Sequence, residues 1–229
     1  MRDEGLVDMK KPSYIIKKTS LEEIRKLCEK YHGYKGAGGS ATYCFGVYEN
    51  SEIVAGYAWQ PPPGAAKSVC PEAPQGVLAL SRMVAVPKDE RQLNHISKPL
   101  RRQMKRLIDR TRWPVLVTYS DEGQGHTGHV YKCSGWQSTN RSRVPVKITK
   151  DGQRASSYSN GKSGGRDLIN AGHTYIQRWE HWICEKGKAD VWIASNGWKK
   201  MPTGRKWKSG NTAYTYRKPV KRARLKKRI

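Results

Sequence analysis

The stretch that most constrains this chain runs from Trp113 to Trp136, WPVLVTYSDEGQGHTGHVYKCSGW. Val115, Leu116 and Val117 form the short aliphatic and β-branched run of a buried strand. That strand delivers Tyr119, Ser120 and Asp121 into a turn marked by Gly123, Gly125 and Gly128. His129 to Cys133 then predicts one short helix, ended by Gly135. A strand that ends in polar side chains beside a loop and a helix start is where open α/β sheets hold ligands. The first candidate site therefore lies here, and the remaining elements can be placed around it.

Taken in order, Ser13 to Lys18 predicts a first strand, and Thr19 or Ser20 followed by Glu22 and Glu23 opens a capped helix. Its apolar residues Leu21, Ile24, Leu27, Cys28 and Tyr31 recur at helical spacing. The helix ends at His32 and Gly33, and GYKGAGGS reads as a mobile loop without the Lys-Ser/Thr of a P-loop. Thr42 to Tyr48 and Glu52 to Trp59 predict a hairpin turning at Glu49, Asn50 and Ser51. A Pro-rich linker, PPPGAAKSVCPEAP, leads into the longest strand candidate, Gly76 to Pro87, interrupted by Ser81 and Arg82. An arginine in mid-strand is costly unless it pairs or faces a ligand, and Asp121 is the natural pairing candidate. The segment after Pro87 predicts an amphipathic helix with Asn94 or Ser97 as N-cap and Pro99 in its first turn. Leu100, Met104, Leu107 and Ile108 form its buried face, while Arg101, Arg102, Lys105 and Arg106 fall largely on the other side. The order of elements gives a mixed α/β sheet flanked by helices.

After Trp136, a further strand carrying basic residues is expected, then a flexible loop SYSNGKSGGR, and then a helix over Asp167 to Lys186 with Leu168, Ile169, Tyr175, Ile176, Trp179, Trp182 and Ile183 as its apolar set. Thr212 to Arg217 returns as a last strand. The expected organisation is a core over residues 1–150, a basic Trp-rich extension over 151–216 packed on it, and a disordered basic tail over 217–229.

A net charge of +25 with a pI of about 10.0 calls for a polyanionic partner, and nucleic acid leads the candidates. The charge is concentrated toward the rear: residues 141–229 hold 23 Lys/Arg against 5 Asp/Glu. Aromatics interleaved with basic residues suit stacking on bases and packing under phosphate-binding side chains. Nucleic-acid contacts are therefore assigned to Arg101, Arg102, Lys105, Arg141, Trp198, Lys199, Lys200, Arg205, Lys206, Trp207 and Lys208. Trp179, Trp182 and Trp192 read as core instead. The tail from Arg217 carries eight Lys/Arg in thirteen residues and no acid, which supplies salt-dependent affinity for phosphate. No run of about 18 apolar residues exists, no apolar signal region stands at the start, and five scattered cysteines without CxxC spacing point to reduced thiols. The expectation is a cytoplasmic protein without membrane contact.

Three segments together carry a family resemblance: ALSRMVAVP on the long strand, LNHISKPL at the next helix, and TYSDEGQGHTGHVYKCSGW. The element order resembles the GNAT acyltransferase fold, and the residues resemble the phage Mom family of DNA-modification proteins over roughly residues 20 to 140. The family pattern is Leu-Ser-Arg on the strand, Asn-x-x-Ser at the helix start, and Tyr-x-Asp, Gly-His-x-Gly and Tyr before a terminal aromatic. The resemblance implies a GNAT-like mixed sheet with a basic Trp-rich C-terminal extension. It also implies a transferase that puts a carbamoylmethyl group on adenine N6 in DNA, shielding phage DNA from restriction. The matching positions are Ser81, Arg82, Asn94, Ser97, Tyr119, Asp121, Gly125, His126, Gly128 and Tyr131, with His32 as a looser match.

Within that set Asp121, Tyr131, Arg82 and Ser97 are the candidate catalytic residues. The adenine amine is a weak nucleophile, so the site needs a group such as Asp121 to take a proton or fix the amine, and Tyr131 to donate to a leaving group. If Asp121 pairs with Arg82, it acts mainly as an orienting group. Ser81, Asn94, Tyr119, Gly125, His126, Gly128 and His32 are assigned to substrate or donor binding, and Ser97 with the amides after Asn94 to the anionic part of the donor. The fold implies an acyl-CoA-like donor, yet RQLNHIS lacks the glycines that let a backbone cradle pyrophosphate. A carbamoylmethyl group is attached through carbon rather than as an amide. The donor stays open. His126 and His129, with Asp121 or His32, also permit a metal ion. The alternatives are an N-acetyltransferase acting on a basic or ribosomal protein and a non-catalytic nucleic-acid binder.

Overall fold

A capping box starts the first helix in this computed structural model. Ser20 Oγ accepts from the Glu23 amide at 3.1 Å, and Glu23 Oε2 accepts from the Ser20 amide at 3.2 Å. Two amides that the first turn cannot pair internally are thereby satisfied. The helix, α1 (Leu21–Tyr31), buries Ile24, Leu27 and Cys28 and ends at His32, whose amide returns to the Cys28 carbonyl. The structure describes residues 14–33, 40–61, 64–110, 112–150, 152, 154, 168–206 and 212–218. The GYKGAGGS interior, the SYSNGKSGGR loop, Trp207, Lys208 and the tail beyond Lys218 lie outside the described residues.

The strands β1 (Ile15–Lys18), β2 (Tyr43–Glu49), β3 (Glu52–Gln60) and β4 (Val77–Ala85) are antiparallel neighbours. The β2–β3 turn places Asn50 and Ser51 at φ 46° and 71°, the left-handed pair whose twist matches a two-residue hairpin. A short helix, α2 (Ala66–Val69), lies in the Pro-rich linker, and α3 (Ser97–Arg110) carries the chain from β4 to a parallel β5 (Val115–Asp121). On α3, Leu100, Met104 and Leu107 are buried, each stabilising the fold by about 1.5–3 kcal/mol. Arg101, Arg102 and Lys105 are exposed. After α4 (His129–Cys133) come β6 (Gln137–Ile148) and β7 (Ile169–Trp182), completing a seven-stranded sheet of order β1-β2-β3-β4-β5-β7-β6.

The helix expected over Asp167 to Lys186 is a strand. Its apolar spacing fits a helix, but β5 would otherwise expose an unpaired edge, and β7 fills it from Val115↔Trp182 to Asp121↔Ile176. Tertiary pairing overrides the local pattern, and the Ile, Thr, Tyr and Trp content suits the strand it becomes. The core sheet accordingly does not close at residue 150: part of the expected extension is its sixth strand in space. The rest, α5 (Ala189–Ser195) with the hairpin β8 (Lys199–Lys206) and β9 (Thr212–Arg217), is a separate two-stranded unit.

Side chains alternate across a strand. Leu78, Leu80 and Leu116 accordingly join the main core with α3. Val77, Ala79, Val115 and Val117 join a second core with Val69, Ile193 and Tyr216 from α2, α5 and β9. Arg112 ties this C-terminal unit down, donating to the Tyr216 carbonyl at 2.8 Å and to Thr215 Oγ1.

Candidate active site

The sheet forks at its centre. β4 and β5 are paired only from Val77↔Val115 to Ala79↔Val117. Past that point β5 follows β7, while β4 follows β3 through a bulge at Ser81, where the register jumps from Trp59↔Leu80 to Ala58↔Arg82. Ser81 Oγ donates to the Ala58 carbonyl at 3.0 Å and so satisfies an acceptor at the bulge. At the crotch of the fork, Thr118 Oγ1 donates to the Leu80 carbonyl at 3.0 Å. The fork opens toward Arg82 on one side and Tyr119 on the other. Arg82 Nη1 donates to the Ser81 carbonyl at 2.8 Å, and its charge lies near Cys28 of α1. Burial nevertheless pushes the Cys28 thiol up to about 11, so it stays a thiol.

Tyr131 of α4 faces this fork. Burial raises its pKa, with the Thr118 hydroxyl partly offsetting the shift, so the phenol keeps its proton at neutral pH. Its ring lies 5.9 Å from that of Trp136 and 6.0 Å from that of Trp179, and Trp136 stacks on Trp59 at 6.4 Å. Trp179 Nε1 donates to Ser120 Oγ at 2.9 Å, and Trp136 Nε1 lies 3.1 Å from Met104 Sδ. The buried Trp59 Nε1 has no hydrogen-bond partner among the described residues. The phenol is therefore a positioned donor in an apolar aromatic wall.

The loop after β5 is held by its own carboxylate. Asp121 is 5% exposed. It accepts from the Gly123 amide at 3.0 Å and from Thr174 Oγ1 at 2.9 Å, and pairs with Arg154 at 2.7 Å. The partner that the structure gives Asp121 is thus Arg154, not the Arg82 expected from the sequence. These bonds, made among the described residues, make Asp121 an orienting group for the loop. Gly125 and Gly128 sit at φ 70° and 73°, and Trp179 packs where a Gly128 side chain would be. These two glycines shape the turn; neither offers a side chain to a ligand.

His32 and His126, 94 positions apart, come together edge to face with ring centroids 6.1 Å apart. Desolvation lowers the His126 pKa; Asp121 opposes the shift and Arg154 adds to it, so the imidazole is neutral at pH 7. His129 points elsewhere, with Nε2 3.4 Å from Cys133 Sγ. Among the described residues no group of three His, Cys, Asp or Glu side chains can hold a metal ion.

The N-terminus of α3 differs from the expectation. Ser97 is its first residue and Asn94 lies exposed outside it, so neither side chain is the N-cap; the Ser97 carbonyl accepts from Ser134 Oγ at 3.2 Å. Glu49, 5% exposed, takes the Gln92 and Leu93 amides at 2.8 and 2.6 Å. The Lys98 amide is spent on the His95 carbonyl, and Pro99 has no amide. A pyrophosphate here would lose the Gln92, Leu93 and Lys98 amides and would face the Glu49 carboxylate. The residues present do not fit a coenzyme A pyrophosphate cradle.

Of the expected DNA contacts, Arg101, Arg102, Lys105, Lys199 and Lys200 are exposed. Arg102 lies over the Tyr14 ring and Lys200 over the Tyr214 ring. Arg141 is engaged: it makes two 2.8 Å bonds to Glu122 and lies 3.6 Å from the Tyr175 ring centroid. Trp198 is half-buried against the second core, with Lys218 over its ring. Arg205 and Lys206 lie on β8, and their side chains are outside the description. Sequence reasoning missed Arg154 and Thr174. Arg154 sits in no motif, and Thr174 was hidden inside the expected helix; reading residues 169–182 as a β-rich strand would have found it.

A mixed sheet forked between two parallel central strands, with helices on it and a buried tyrosine at the fork, is the GNAT-like α/β fold expected from the sequence. An N-acetyltransferase from Staphylococcus aureus is similar at 11% identity and TM-score 0.47, over 75% of this chain and 99% of that one. A polyamine N-acetyltransferase from Drosophila melanogaster is similar at 10% and 0.47, over 75% and 100%. A GNAT family acetyltransferase from Elizabethkingia anophelis with acetyl-CoA bound is similar at 13% and 0.43, over 76% and 100%. None of the curated proteins matches by sequence. The profile of the Mom protein family matches residues 13–185, and the chain belongs to that family.

Proposed function

We propose that the protein is a DNA-modifying transferase that adds a carbamoylmethyl-type group to adenine N6, protecting phage DNA from restriction. The observation that carries this reading is the family match over residues 13–185, which spans the fork, the loop and β7 together. A net charge of +25 supports a DNA substrate and disfavours a basic or ribosomal protein as acceptor, because like charges repel.

The chemistry assigned to the site is a displacement at carbon. A bond forms between adenine N6 and the donor's methylene carbon, the bond from that carbon to its leaving group breaks, and N6 gives up one proton. Adenine must first leave the base stack, because N6 is otherwise shielded and its lone pair delocalised. His126, neutral and partly exposed, takes the proton. Tyr131, protonated, donates to the leaving group. Asp121 holds the loop that carries His126, and the His126 amide donates to the Asp121 carbonyl at 3.2 Å. Arg82, at one side of the fork, and Ser97, at the start of α3, are assigned to the donor.

The test is mass spectrometry of nucleosides from DNA of cells expressing the protein. Deoxyadenosine heavier by a carbamoylmethyl group is expected with the wild type, and at least 100-fold less of it with Tyr131→Phe. No modified adenine with either protein refutes the reading and leaves a plain nucleic-acid binder.

A further inference from the structure

β5 ends at Asp121↔Ile176, but β6 and β7 run on together from Arg143↔Tyr175 through Val144↔Thr174 and Lys147↔Asn170 to Ile148↔Ile169. Beyond β5 they form a two-stranded ribbon of about seven residues per strand, roughly 24 Å long at ~3.4 Å per residue. Such a ribbon has no apolar floor of its own. Its side chains are accordingly exposed or half-exposed, and only Thr174 is buried. Between Gln137 and Trp179 the sequence carries eight Lys/Arg and two Asp. Arg143 and Lys150 are exposed and Lys147 half-exposed.

The ribbon is also fixed to the candidate site. Thr174 donates to Asp121 and accepts from the Gly123 amide at 2.9 Å, so one ribbon residue grips the His126 loop. Arg154 bridges back to Ile148 through its backbone while its guanidinium pairs with Asp121. One buried carboxylate therefore joins the loop to both strands of the ribbon. Breaking such a pair is costly, so the ribbon cannot swing independently of the site.

We propose that this ribbon is the element that docks double-stranded DNA and sets where the duplex lies relative to His126 and Tyr131. A two-stranded ribbon fits the B-DNA major groove, which is about 12 Å wide, and ~24 Å is about two thirds of a helical turn. Arg143, Lys147 and Lys150 contact phosphates, and the Asp121 joint places the adjacent base pair beside the loop. The proposal rests on DNA being the substrate.

The test is binding of a short duplex by the full chain across a salt series. The variants are Arg143→Gln/Lys147→Gln/Lys150→Gln and a control of equal charge change on the edge strand β1 and helix α1, Lys18→Gln/Lys26→Gln/Lys30→Gln. The ribbon variant is expected to lose about 2.7 from the slope of log affinity against log salt, and on the order of 10- to 100-fold in affinity at 0.15 M. The control is expected to stay within threefold of wild type. Equal losses in the two variants overturn the proposal. A wild type that modifies DNA while the ribbon variant binds normally sinks the ribbon alone, whereas a wild type that neither binds nor modifies DNA sinks the functional reading with it.

Discussion

Replacing Gly128 by alanine tests whether the turn before α4 is built as tightly as the structure has it. Gly128 adopts φ 73°, and a Cβ there would lie 2.1 Å from Trp179 Cζ2. Three costs add. A left-handed residue with a side chain costs about 1–2 kcal/mol, displacing a packed indole costs about 1–3 kcal/mol, and losing the Trp179 Nε1 to Ser120 bond costs about 0.5–1.5 kcal/mol. The sum is roughly 3–6 kcal/mol. Gly125→Ala is the internal control, because Gly125 has φ 70° but no atom within 4 Å of a Cβ. Only the backbone cost of about 1–2 kcal/mol applies there. Urea unfolding followed by tryptophan fluorescence measures both. A loss below about 2 kcal/mol for Gly128→Ala, or equal losses for the two variants, refutes the packing of Trp179 under this turn.

Arg154→Met leaves Asp121 buried without its cationic partner and is expected to destabilise the protein by about 3–5 kcal/mol. Urea unfolding reads the loss, and an unchanged midpoint contradicts the pair. The same substitution removes one of the influences that lower the His126 pKa, so the His126 resonance should titrate at higher pH than in wild type. Because His126 releases its proton more readily folded than unfolded, the unfolded chain binds more protons between the folded pKa and 6.5. Its contribution to stability therefore grows as pH rises through that window and is lost as pH falls. A His126 titration at or above 6.5 by NMR contradicts this. Glu49→Gln weakens the hold on the Gln92 and Leu93 amides and is expected to cost about 1–3 kcal/mol. Amide exchange should then quicken at those two positions, and unchanged protection argues that the carboxylate does not hold the segment.

Several elements could be read directly from local residues. The Ser20–Glu23 capping box, the Asn50–Ser51 hairpin, the Val115–Val117 strand and the α3 stripe of Leu100, Met104 and Leu107 all formed where their sequence signals stand. Such signals are legible because the interactions that decide them span only a few residues. The family pattern was legible for a related reason: Ser81, Arg82, Asn94, Ser97, Tyr119, Asp121 and Tyr131 fall at fixed spacing within three short segments.

What the sequence by itself determined, then, is the class of sheet, the strong positive charge and the identity of the loop that carries Asp121, His126 and Tyr131. Only the tertiary structure decided that residues 169–182 are a strand, because the unpaired edge of β5 lies more than fifty positions away and no local pattern records it. It also decided that Asp121 belongs to Arg154 and Thr174, that His32 meets His126, and that Glu49 occupies the amides ahead of α3. Each of these joins groups remote in sequence, where burial and charge select a partner by position in space and spacing along the chain says nothing.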